Sequence, residues 1–124
     1  MRIGLDHAHI FASDLRATVS FFVEMLGASV VWDEEAAGAR NVRLRLGEAF
    51  VHVYEQPPRG HAGVVHHLGI ATDDLDALVA SLKAKGCEFR KPVRDESRFR
   101  YVMLAGPDGL LLELFQAKEP ARWK

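Results

Sequence analysis

Six histidines, at positions 7, 9, 52, 61, 66 and 67, and one carboxylate, Glu113, carry most of the chemistry this sequence offers. Imidazole nitrogens and carboxylate oxygens are the donors that hold zinc, nickel, cobalt, manganese or iron. Glu113 stands inside the run Leu-Leu-Leu-Glu-Leu-Phe at 110–115. A charged carboxylate there is costly to bury without a partner, and a metal ion with imidazole co-ligands removes that cost. A single histidine on a strand is more often a hydrogen-bonded core residue than a ligand, so the argument rests on the set. The set is symmetric: 45 residues separate His7 from His52, and 46 separate His67 from Glu113.

The elements that must position these residues repeat. His7-Ala-His-Ile-Phe-Ala-Ser-Asp14-Leu15 lines up with His67-Leu-Gly-Ile-Ala-Thr-Asp-Asp74-Leu75, and in both a histidine precedes Asp-Leu by seven residues. Leu5–Phe11 reads as a strand. Ser13 or Asp14 caps the following helix, whose apolar stripe is Leu15, Val19, Phe22 and Leu26 and whose stop is Gly27. In the second half Leu75, Leu78, Val79 and Leu82 repeat the stripe before Gly86. Further strands are expected at Ser29–Asp33, Asn41–Leu46 and Ala49–Tyr54, and again at Glu88–Arg90, Arg100–Leu104 and Leu110–Phe115.

Residues 57–65 contain Pro57, Pro58, Gly60 and Gly63 and read as a linker. Residues 1–56 and 66–118 are then two βαβββ modules, with 119–124 as a C-terminal tail, which makes an α+β protein. Modules of this size bury little core alone, so they are expected to pair, within one chain or between two, and a homodimer is expected.

If the modules are related by a pseudo-twofold axis, His7 and His67 on the first strands and His52 and Glu113 on the last strands converge on one point. Strand alternation puts Phe50, His52 and Tyr54 on one face, and Leu111, Glu113 and Phe115 on the matching face. Val51 and Val53, with Leu110, Leu112 and Leu114, are left to pack under the helices. His9 shares the face of His7 and is a candidate substrate contact. His66 is expected to point away from His67 as a structural residue, and His61 to be a solvated loop residue.

Composition narrows the function classes. Sixteen Lys+Arg against seventeen Asp+Glu give a net charge of −1, so no global field draws the chain to nucleic acid or anionic lipid. With one cysteine, Cys87, neither an internal disulfide nor a cysteine-rich zinc site can form. Asp6 and His7 interrupt the first residues before a secretory apolar segment can develop, and no apolar stretch approaches eighteen residues, so a cytoplasmic location is expected.

These motifs resemble the vicinal oxygen chelate superfamily, which includes glyoxalase I, methylmalonyl-CoA epimerase, extradiol dioxygenases and the fosfomycin and bleomycin resistance proteins. The resemblance runs from Leu5 to Gln116. It rests on Leu-Asp-His7 with Asp14-Leu15, on Phe21-Phe22 through Leu26-Gly27, on His66-His67 with Asp74-Leu75, and on Gly106-Pro107-Asp108-Gly109 followed by Glu113. It implies paired βαβββ modules whose curled sheets form a metal-binding cup. His7, His67 and Glu113 fall on the family's ligand positions. His52 falls on a fourth position, often Glu or Gln in the glyoxalase and epimerase branches, where it either coordinates or stands off as a general base.

The resemblance further implies a divalent ion that chelates two adjacent oxygens of a small-molecule substrate. Lyase or isomerase chemistry of the glyoxalase type is the leading expectation, with Glu113 and His52 as catalytic candidates. The alternatives are an extradiol-type dioxygenase, a fosfomycin-type transferase and a metal-free drug-binding protein. Tyr54 and Tyr101 are candidate phenol donors to an oxyanion. One of Lys91, Arg94, Arg98 and Arg100, with Arg43 or Arg45, is a candidate clamp for a carboxylate or phosphonate. Trp32, Phe50, Phe99, Phe115 and Trp123 are candidate apolar walls.

Overall fold

Asp14 and Asp74 start the two helices of the chain by the same device. Each carboxylate accepts from the backbone N–H three residues on, Ala17 and Ala77, at 3.0 Å. That bond satisfies one of the donors a helix leaves open at its first turn. The computed structural model describes residues 2, 6–36, 38–58, 67–97 and 99–118. Leu5, most of the expected linker with His61, His66, Arg98, the tail 119–124 and Trp123 lie outside the described residues.

The chain divides into two compact units, Met1–His61 and Ala62–Lys124. In the first, strand β1 (His7–Ala12) leads into helix α1 (Leu15–Ser20), which widens into one π-type turn over Phe21–Met25. Strands β2 (Ser29–Ala36), β3 (Ala39–Leu46) and β4 (Ala49–Glu55) follow, and the sheet order is β1-β4-β3-β2. In the second, β5 (Leu68–Ala71) and α2 (Leu75–Ala84) are followed by β6 (Arg94–Asp95), β7 (Phe99–Ala105) and β8 (Leu111–Ala117), in the order β5-β8-β7-β6. Both units are therefore βαβββ modules with a curled four-stranded sheet, and the protein is α+β.

Each sheet is antiparallel except where its first strand pairs parallel with its last. A parallel neighbour needs a long crossover, and the helix plus two strands supply it. The registers correspond: His9 lies opposite His52 in the first sheet, and Gly69 lies opposite Glu113 in the second. The repeat thus places a glycine where the first unit has His9, so β5 contributes no side chain opposite Glu113.

Two local expectations need correction. The strand that follows α2 is Arg94–Asp95, not Glu88–Arg90. Pro92 carries no N–H for a ladder, and the pairing starts beyond it. His67 precedes β5 by one residue instead of lying on it.

Alternation sorts the two faces of each sheet. Val42, Leu44, Val51 and Val53 are buried on the side that receives α1, together with Leu15 and Phe22. Leu112, Leu114, Val102 and Leu104 play that part against α2, with Leu75 and Leu82 fully enclosed. Gln116 ties β8 to the start of α2: its Oε1 accepts from the Leu75 N–H at 2.8 Å, and its Nε2 donates to the Asp73 carbonyl at 3.1 Å. The opposite faces are left to the polar and aromatic residues. Among the described residues no helix is long and apolar enough to cross a membrane.

Because the caps are equivalent, Asp14→Ala and Asp74→Ala should each lower unfolding free energy by about 1 kcal/mol. Urea denaturation followed by circular dichroism measures both. An unchanged midpoint in either variant would remove that cap from the account.

Candidate metal centre

The candidate face of the first unit is built from β1, β3 and β4. His7 and His9 project from β1, Phe50, His52 and Tyr54 from β4, and Asn41, Arg43 and Arg45 from β3, with Arg43 directly opposite His52. The rings pack as two stacked pairs. His7 lies on His52 at 3.8 Å between centroids, and His9 lies on Tyr54 at the same separation. Trp32 meets His52 edge-on at 5.4 Å.

An ionic network holds this face. Asp6 Oδ2 lies 2.9 Å from His7 Nδ1 and accepts from Arg43 Nη1 at 2.8 Å, while Asp6 Oδ1 accepts from Arg43 Nη2 at 3.2 Å. Arg43 Nη1 also lies 2.6 Å from His52 Nε2, which must be the acceptor because a guanidinium has only donors. The guanidinium carbon sits 3.7 Å from the centroid of the Phe50 ring, a cation–π contact. Asp6, His7 and His52 offer nitrogen and oxygen atoms within 4.8 Å of one another, which marks them as a possible metal cluster.

The three residues are not equally prepared for a metal. With the Asp6 carboxylate at Nδ1, His7 carries its proton there and keeps the Nε2 lone pair for a metal, the usual carboxylate–histidine arrangement of metal sites. His52 has its Nε2 lone pair directed at Arg43. The Arg43 hydrogen bond, followed by that of His7, holds the Asp6 carboxyl well below the usual carboxylate range. Burial pushes His52 below its ordinary 6.5, and the charges of His7 and Arg43 add to that. Burial, with the charge of His7, also lowers His9.

In the second unit His67 Nε2 and Glu113 Oε2 are 3.8 Å apart, and both side chains are half-buried. The separation is too long for a direct hydrogen bond. One ion with bonds of about 2.1 Å to each atom could span it. Both residues line a cavity of about 820 Å³, whose walls also include Lys91, Ser97, Phe99 and Tyr101. Phe99 stacks on Phe115 at 5.0 Å. The donor sets of both units therefore fit a borderline divalent ion: an oriented imidazole in one, an imidazole and a carboxylate in the other.

The other expected site residues fall as follows. Phe50 carries the Arg43 guanidinium, Tyr54 carries His9, and Tyr101 faces the cavity. Arg100, expected at the substrate, is turned the other way: it makes two bonds to Asp76 of α2, at 2.9 and 3.2 Å. Alternation on β7 explains this, since Phe99, Tyr101 and Met103 face the cavity and the residue between the first two must face the helix. Arg98, the other basic candidate of this strand region, lies outside the described residues. Asp6, Ser97 and Met103 were not singled out from sequence. Of these, only Asp6 has a local signal, its place beside a candidate ligand.

Between the lowered value and 6.5 the unfolded chain takes up a proton that folded His52 refuses, so stability of the metal-free protein rises with pH in that window. Lowering the pH from 6.5 into that window should reduce the unfolding free energy, and Tm with it, by no more than about 1.4 kcal/mol per pH unit for this group. Thermal melts across that range test it, and the slope should be shallower in His52→Phe.

The profile of the Glyoxalase/Bleomycin resistance protein/Dioxygenase superfamily matches residues 4–114. The uncharacterized protein YaeR of Escherichia coli is 29% identical over 128 residues, covering 92% of this chain and 98% of its own. The genomically encoded fosfomycin resistance protein FosX of Listeria monocytogenes has the same fold, with a TM-score of 0.79 at 20% identity over 98% of this chain and 99% of that one. A mutant of FosX has been solved in complex with Mn(II) and a dihydroxypropylphosphonic acid. TnmS3, an antibiotic binding protein from Streptomyces sp. CB03234, superposes with a TM-score of 0.78 at 25% identity, over 95% of this chain and 99% of its own.

Proposed function

The chain belongs to the Glyoxalase/Bleomycin resistance protein/Dioxygenase superfamily, and we propose that within it the protein is a divalent-metal-dependent enzyme acting on a small, oxygen-chelating substrate. The observation that carries this reading is the His67–Glu113 pair, 3.8 Å apart at the wall of a cavity of about 820 Å³. In this proposal His7, His67 and Glu113 hold one ion, in a cup formed within one chain or between two copies in a cytoplasmic homodimer. His52 falls at the fourth position, where it either coordinates or stands off the ion. The ion is zinc, nickel, cobalt, manganese or iron.

When bound, such an ion supplies a Lewis acid that polarises a substrate oxygen and stabilises the negative charge developing on it. The remaining work falls to side chains of this chain. Glu113, with one carboxylate oxygen not needed to hold the ion, would take a proton from substrate carbon and return it to the neighbouring position, which is lyase or isomerase chemistry of the glyoxalase type. Tyr101 donates its phenol to a substrate oxygen. Lys91 meets a negative group of the substrate, and Ser97 adds a neutral hydrogen bond. Phe99 and Phe115 form an apolar wall that excludes water from one side.

A second reading has its own observation. The Arg43–His52 bond favours three protein donors over four, and three leave more open positions for a co-substrate. That suits an extradiol-type dioxygenase or a fosfomycin-type transferase. The likeness to an antibiotic binding protein supports a third outcome, a metal-free ligand-binding cup.

Elemental analysis of protein purified without added metal or chelator separates these. About one equivalent of metal per site is expected, and His67→Ala or Glu113→Ala should lower affinity by more than about tenfold, since loss of supporting contacts alone costs that much. Iron would favour the dioxygenase. Zinc, nickel, cobalt or manganese would favour Lewis-acid chemistry. Failure to bind any of these ions after reloading would leave the drug-binding reading.

A further inference from the structure

His52 and Arg43 face each other across β4 and β3, and their side chains meet inside the first unit. The ring nitrogen Nε2 has one lone pair, and Arg43 Nη1 stands 2.6 Å from it. A metal ion bonded to the same nitrogen would need a position about 2.1 Å away. The two occupants exclude each other. Arg43 is not loosely placed: its side chain is 17% exposed, Asp6 binds it through both carboxylate oxygens, and Phe50 lies beneath it. Moving it out would break those contacts together and bring a guanidinium close to a dication.

His7 is in the opposite position. The Asp6 carboxylate that anchors Arg43 is also the group at His7 Nδ1. One carboxylate therefore prepares His7 as a donor and fixes the cation that closes off His52.

We propose that Arg43 is a positioning residue that keeps His52 off the metal, so that the loaded centre takes one imidazole, that of His7, from the first unit. This rests on the metalloenzyme reading above. Its consequence is that the first unit offers an ion a single donor, His7, and leaves one more coordination position open than a His7–His52 pair would. The freed position is room for a water or a further small molecule beside the substrate.

The test uses Co(II) added to the metal-free full-length protein, read as affinity and as the d–d absorption spectrum. His52→Phe keeps a ring to stack on His7 but has no donor nitrogen. It should bind Co(II) like the wild type, with the same spectrum. Arg43→Met should bind about tenfold more tightly with bands shifted to shorter wavelength as His52 enters the coordination sphere, and the gain should vanish in Arg43→Met/His52→Phe. Arg43→Lys, which keeps a cationic donor, should resemble the wild type. Circular dichroism establishes that each variant is folded, and His52→Phe decides the question even if Arg43→Met does not fold.

A loss of affinity of about tenfold or more in His52→Phe, with a changed spectrum, would make His52 a ligand and overturn the inference while the metalloenzyme reading stood. Unchanged affinity in folded Arg43→Met would also overturn it. Absence of Co(II) binding in the wild type and in Arg43→Met alike would remove the metalloenzyme reading, and the inference with it.

Discussion

In each unit the first and last strands lie side by side and parallel, and the placement of the candidate donors on the sheets depends on that pairing. It brings His9 level with His52 and Gly69 level with Glu113, residues more than forty positions apart in the chain. A one-residue slip would turn His52 and Glu113 toward the helices and expose Val51, Val53, Leu112 and Leu114. Those apolar residues are what make a slip costly. Val53, Leu112 and Leu114 are fully buried against the helices, so the register of the site is held by packing on the other face of the same sheet.

The helices serve this pairing as crossovers. Their starting points are set by Asp14 and Asp74, and α2 is also tied to β8 by the Gln116 amide. Its Arg100–Asp76 pair lies on the helix side of the second sheet. That leaves the opposite face to His67, Glu113, Phe99 and Tyr101, with Lys91 and Ser97 at the same cavity.

Electrostatics differ between the two units although the folds repeat. The first carries a cation inside its cluster: Arg43 sits among Asp6, His52 and Phe50. The second has a carboxylate and an imidazole separated by more than a hydrogen bond. The same backbone plan thus presents a ring-lined, internally neutralised surface in one unit and a donor pair at a cavity in the other. Gly69 at the position of His9 contributes to that difference, because β1 places a stacked ring beside His52 and β5 places no side chain opposite Glu113.

Much of this was legible in the sequence because it follows from local rules. The paired His-to-Asp-Leu spacing, the caps and the strict alternation along β3, β4 and β8 gave the two βαβββ units and the face on which His7, His52 and Glu113 lie. Tyr101 and Arg100 were both expected at the substrate, but alternation along β7 sends neighbouring residues to opposite faces, and Asp76 holds Arg100 on the helix side. The strand expected at Glu88–Arg90 was misplaced because short charged segments carry no period, and Pro92 shifts the pairing onward. What only tertiary structure decided is which partner each donor atom meets. Residue type made His7 and His52 equal candidates. The difference between them comes from Asp6 and Arg43, one a chain neighbour and the other across the sheet, because a lone pair has a direction and a sequence has none.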